Sequence, residues 1–264
     1  MPSQTAHIHR VLLLGILINA GALVAGVFAQ ASGPAYLNFF ALEDGFLEWL
    51  QFLSFAVLAV TLACLSVARF RALAPRIEVL ALAALSGVVA IAALEEISWF
   101  QRVLTIETPS FFQQHNKQNE TNIHNLAVGG VSLHKHIMLK AIFIVGILHN
   151  LVLPLLALRN ARVQAFVESL GLYLPPLKVA LCYLALVALS HVVIDHPRKG
   201  EFGETFGAVH YLTTVFSAYV MGAGYAKRTV VDAAQAKAVA LVFSLGLLFL
   251  VFVAWLLAHG YKGT

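Results

Sequence analysis

Two adjacent carboxylates, Glu95 and Glu96, close a purely apolar run, and Trp99 and Arg102 follow in the stretch IAALEEISWFQRVLTIETP (91–109). Buried carboxylates take up protons more readily than solvated ones and serve as general acids or bases. Glu95 and Glu96 flanked by Arg102 could therefore bind and deprotonate a hydroxyl. Glu120 and His124 stand four residues apart, and His191 and Asp195 repeat that spacing. On a helix such pairs share a face, where carboxylate and imidazole can ligate one ion, or the carboxylate can orient the ring. The candidate catalytic residues are Glu95, Glu96, Glu120 and Arg102; the candidate metal ligands are Glu95, Glu120, His124, His191, Asp195 and His210. Mixed carboxylate and imidazole donors suit zinc, iron or manganese. Zinc would activate a water for hydrolysis or transfer, and iron would oxidise an acyl chain or another lipid-soluble substrate.

The elements that carry these residues follow from composition. The chain has 264 residues, of which 60% are hydrophobic and 11% charged, and its mean hydropathy is +0.83. Soluble domains carry about 25% charged residues, so this chain cannot cover a water-facing surface. It reads as an all-α polytopic membrane bundle. A span needs roughly 20 mostly apolar residues, and seven segments qualify: 11–31, 46–68, 77–100, 136–158, 176–196, 206–226 and 236–258. With no internal repeat, residues 1–264 form one helical domain. The first segment ends in small residues, VFAQASG, as secretory signals do, but its apolar run exceeds theirs; it is read as a retained helix. Cys64 and Cys182 fall in apolar spans and read as buried packing thiols.

Arginine and lysine in the short loops set the expected orientation. Arg69, Arg71, Arg76, Arg159, Arg162, Lys227 and Arg228 place the N-terminus inside and the C-terminus outside a bacterial inner membrane. The net charge of +4 is spread over these loops and calls for no nucleic-acid partner. Ten of the 13 carboxylates and eight of the 11 histidines then lie toward the outer face, and histidine has no reason to follow the positive-inside bias. At 1.5 Å per residue, Glu95, His191 and His210 each sit roughly 10 Å below the polar boundary. Ionisable groups at that depth are costly unless they face the bundle interior and are partnered. The long polar loop after the third span, about 103–133, would fold over them as a lid, with a helix start at Thr108–Pro109.

The segments EEISWFQR, IETP and NKQNETNIHN together resemble the pattern E-E-x-S-W-x-Q-R, E-T-P and N-x-Q-N-E-x-N-x-H-N of an uncharacterised family of polytopic bacterial membrane proteins. The resemblance covers residues 95–125 and implies that they act together; it brings no activity with it. The ligand set is similar in kind to that of seven-helix lipid hydrolases with a Ser/Asp/His zinc site, but the last span here lacks an H-x-x-x-H.

The expected function is an enzyme acting on a lipid or lipid-linked substrate at the outer leaflet, with zinc or iron as the expected metal and membrane lipids as partners. The alternative is a transporter or an assembly subunit of a membrane complex. Transport is disfavoured because the inner half carries little besides His149, which itself fits a hydrogen bond to a carbonyl freed by Pro154.

Overall fold

The computed structural model describes residues 4–123, 125–128, 131–132, 139–225, 231 and 234–260. Its helices are α1 (Gln4–Ser32), α2 (Pro34–Ala41), α3 (Phe46–Arg71), α4 (Arg76–Glu96), α5 (Ser110–His115), α6 (Leu139–Ile147), α7 (Leu153–Arg159), α8 (Ala161–Ser169), α9 (Leu177–Val193), α10 (Gly200–Val215) and α11 (Ala236–Gly260). The described strands are one antiparallel pair of two residues each, Ala127–Val128 and Val131–Ser132.

Five helical stretches are long and apolar enough to cross a membrane: Gln4–Ser32, Pro34–Arg71, Arg76–Glu96, Lys140–Arg159 and Ala236–Gly260. The two remaining expected spans are helical but do not reach that standard. The first, α9, is apolar but has 17 residues. The second, α10, begins at Gly200 rather than 206, runs into a π turn at Phe216–Val220, and carries Glu201, Glu204 and His210.

The bundle is apolar outside and polar at its axis. Leu17, Phe28, Val60, Phe70, Leu80, Val88, Phe143 and Phe249 point outward, while Asn19, Gln51, Ser54, Asn150, Thr205 and His210 are buried. Water-facing proteins do not leave so many large apolar side chains bare; a lipid-facing bundle does. Cys64 and Cys182 belong to this bare outer surface, not to the interior expected of packing thiols.

The axis is α10, which packs against α1, α3 and α9; α11 lies on α1 and α3, and α4 on α3. The sequence of α10 suits this place. Thr205, Thr213 and Thr214 donate to the carbonyls of Glu201, Val209 and His210 at 2.8–2.9 Å, so their hydroxyls need no water. Small residues on α1 let it close on α10. A Cβ on Gly15 would lie 2.7 Å from Thr213 Oγ1, and one on Gly26 2.5 Å from the Phe202 ring, the close backbone approach typical of membrane helix pairs.

The end of the bundle opposite Glu96 is richer than the sequence suggested. Arg69 pairs with Glu78 at 3.0 Å, both buried, and Tyr225 donates to the same carboxylate at 2.9 Å. His149 does bond a carbonyl, but that of Tyr173, in the connection between α8 and α9, at 2.9 Å. It sits in a π turn, Leu148–Val152, just before Pro154.

Candidate functional site

At Glu96, α4 stops short of the expected residue 100. Ser98, Trp99 and Phe100 follow with φ of 48°, 56° and 61°, in the left-handed region that side chains with a Cβ disfavour. This turn splits the carboxylate pair. Glu95 and Glu96 are about 100° apart on their helix, and they end in separate environments.

Glu95 turns to the segment that follows α4. Its Oε1 accepts from Trp99 Nε1 at 2.7 Å and its Oε2 from the backbone N–H of Ile123 at 2.6 Å. Glu120 joins the same network, accepting from Ser98 Oγ, Asn122 Nδ2 and Arg102 Nη1. Arg102 is its hub. All three guanidinium nitrogens are used, with Nη2 on Asp44 at 3.1 Å and on Glu48 at 2.7 Å, Nη1 on Glu120, and Nε on Asp44. Burial alone would lower the guanidinium pKa; the charges of Glu48, Glu120 and Asp44 outweigh that and raise it. Gln101 binds Thr121 N, Thr108 Oγ1 and Ile106 O, while Asn116 Nδ2 binds Asn122 at 2.9 Å. The segment 98–123 is thus a knot of polar side chains over the end of α3 and α4. Its 116–126 part is closed by turns and an Asn116–Leu126 bridge, so Glu120 is not on a helix that would pair it with His124. As the Thr-Pro signal predicts, α5 starts directly after Pro109.

Glu96 turns to α10. Among the described residues, one group of three potential metal-ligating side chains converges: Glu96, Glu201 and Glu204, with one carboxylate oxygen from each within 4.8 Å of the others. Glu201 and Glu204 are i,i+3 neighbours in the first turn of α10 and share a face. The amide of Gln51, itself buried, faces Glu96, and Thr205 Oγ1 ties α10 to Leu47 O at 3.2 Å. Each pair of ionised carboxylates at that separation repels by about 3 kcal/mol at an effective dielectric near 20. Arg102 is engaged as above; Arg198 pairs with Glu43 and also acts on Glu201 through its charge. Such a group calls for a cation or a shared proton.

The remaining expected ligands do not join either centre. His210 is buried among α9 and the π turn of Leu148–Val152: its Nε2 bonds Asn150 Oδ1 at 2.8 Å and its ring stacks on Tyr183 at 4.4 Å. His191 is exposed, with Nδ1 on the Val187 carbonyl at 3.0 Å. Asp195 is exposed, and its backbone N–H bonds Gln30. His124 lies outside the described residues. Depth matched these groups; direction around the helix separates them, since Glu204 and His210 point about 120° apart on α10.

The fold and this polar end define an α-helical integral membrane protein with an acidic centre at one end of its bundle. No family model, curated protein or solved structure matches the chain.

Proposed function

We propose that the protein is a membrane enzyme whose reaction centre is Glu96, Glu201 and Glu204, holding a divalent cation that presents a lipid or lipid-linked substrate at the outer leaflet of a bacterial inner membrane, with the N-terminus inside. The observation that carries this reading is the convergence of the three carboxylates within 4.8 Å. An all-oxygen donor set favours a hard cation, magnesium or manganese, over zinc. The expectation of zinc or iron rested on imidazole ligands, and the described histidines point elsewhere. Arg102 does not serve as a substrate anchor here, because Asp44, Glu48 and Glu120 already take its donors. A phosphate-bearing headgroup would instead be held through the cation, which offsets two of the three carboxylate charges and offers open positions to phosphate oxygens. The bare apolar flank of the bundle supplies the lipid side.

The test is manganese binding, followed by electron paramagnetic resonance in mild detergent, with mass spectrometry of the lipids that purify with the protein. Wild type binding near one equivalent, lost in Glu96→Gln and in Glu204→Gln while both stay folded, supports the reading. Equal weak binding in all three proteins overturns the metal centre.

A further inference from the structure

The turn between α4 and the polar knot carries a second property, independent of any cation. Trp99, Phe100, Val103, Leu104 and Ile106 are 38–61% exposed, although the residues between them, Gln101 and Arg102, point inward to Thr108, Asp44, Glu48 and Glu120. Apart from Thr105, whose hydroxyl donates to the Leu104 carbonyl, the turn is apolar on its outer surface and polar within, the reverse of a loop in water. We infer that residues 99–106 insert into the leaflet at the Glu96 end of the bundle, at the boundary of headgroups and acyl chains.

Three observations name lipid as the occupant. The patch continues the lipid-facing side of α4, where Val88 and Ile91 are more than half exposed, so its surroundings are those of a spanning helix. Its backbone is turned largely in on itself. Five of the eight N–H groups of 99–106, those of Phe100, Gln101, Leu104, Thr105 and Ile106, donate to carbonyls within 97–102, which lowers the cost of leaving water. Finally, Trp99 gives its indole N–H to Glu95 at 2.7 Å. An interfacial tryptophan usually spends that donor on headgroups or water; with the donor satisfied internally, the ring can sit below them. The same logic explains Arg102, a cation in an apolar turn that is drawn to carboxylates beneath it rather than snorkelling outward.

The experiment leaves Trp99 as the sole tryptophan (Trp49→Phe and Trp255→Phe) in the full chain, reconstituted in phosphatidylcholine vesicles brominated either near the top or near the end of the acyl chains. Expected is loss of most Trp99 emission with the shallow bromines, less loss with the deep ones, and little quenching by acrylamide. Emission quenched by acrylamide and indifferent to both bromolipids overturns the insertion. If the double substitution fails to fold, Leu104→Cys in a Cys64→Ser/Cys182→Ser background carries a nitroxide instead. Relaxation by oxygen over a water-soluble nickel chelate supports insertion, and the reverse preference overturns it.

Discussion

Glu95 and Glu96 are sequence neighbours with the same side chain, yet each has been assigned a different task. Glu95 belongs to a region in which charge and hydrogen bonding are closed: two donors on its two oxygens, three carboxylates on one guanidinium, and amides that pin Thr121 and Asn122. Glu96 belongs to a region in which like charge gathers, three carboxylates facing one another beside a glutamine, with Glu48 and Arg198 acting on them from nearby. In a closed network each charged group already has a partner; this one ties the left-handed turn at 98–100 and Glu120 to α3 and α4. Gathered acidic charge costs stability unless a cation or a shared proton offsets it, which is why it is the better place to look for chemistry. The density of polar residues in EEISWFQR and NKQNETNIHN therefore reports mostly on folding.

Substitutions at five positions break or sharpen this contrast. Arg102→Gln should have the largest effect. It strands Asp44, Glu48 and Glu120 without their cation, and breaking such a partly buried network costs about 3–5 kcal/mol. The unfolding midpoint in detergent should fall accordingly, and Arg102→Lys should recover only part of it, since an ammonium cannot copy a fork that serves three carboxylates. Gly26→Ala comes next and probes the scaffold that places α10. With a Cβ 2.5 Å from the Phe202 ring, overpacking should cost about 2 kcal/mol by the same measurement. Glu95→Gln should cost about 1–2 kcal/mol, because an amide keeps one acceptor but turns a donor toward either Trp99 Nε1–H or the Ile123 N–H. Its fluorescence should show the Trp99 indole more exposed to acrylamide.

The same contrast explains what could be read from the chain beforehand. Hydropathy located seven helical segments, and the Thr-Pro signal the start of α5, because both depend on local composition. The bond of Trp99 to Glu95 spans four residues but forms across the left-handed turn, not along a helix face. What composition cannot give is direction around a helix axis. Glu95, His191 and His210 match in depth, but each faces a different neighbour, so equal depth did not make a site. Glu201 and Glu204 were missed because α10 was expected to begin at 206, which made them look like solvated loop residues. The i,i+3 spacing in GEFGETFG, whose glycines and Thr205 can pack inside a bundle, was the available signal. The role of Arg102 was hidden for a related reason. An arginine at the end of a span ordinarily snorkels to the headgroups; here Asp44, Glu48 and Glu120, distant in sequence, draw it inward.

The smallest effect on stability should come from Glu96→Gln and Glu204→Gln, and these decide between the two regions. Removing one charge from a group of three relieves repulsion, and a glutamine at 96 can still meet Gln51. The unfolding midpoint without divalent cations should therefore hold within about 0.5 kcal/mol or rise. The cation response should behave in the opposite way. A ligand that binds only the folded state stabilises by RT ln(1 + [L]/Kd), about 2.7 kcal/mol at a hundredfold excess over Kd, so manganese should raise the wild-type midpoint and leave both variants unmoved. Arg102→Gln, although far less stable, should keep its manganese response if enough of it folds to be measured. If Glu96→Gln instead loses as much stability as Arg102→Gln and wild type ignores manganese, Glu96 is one more strut of the knot, and the division drawn between the two glutamates fails.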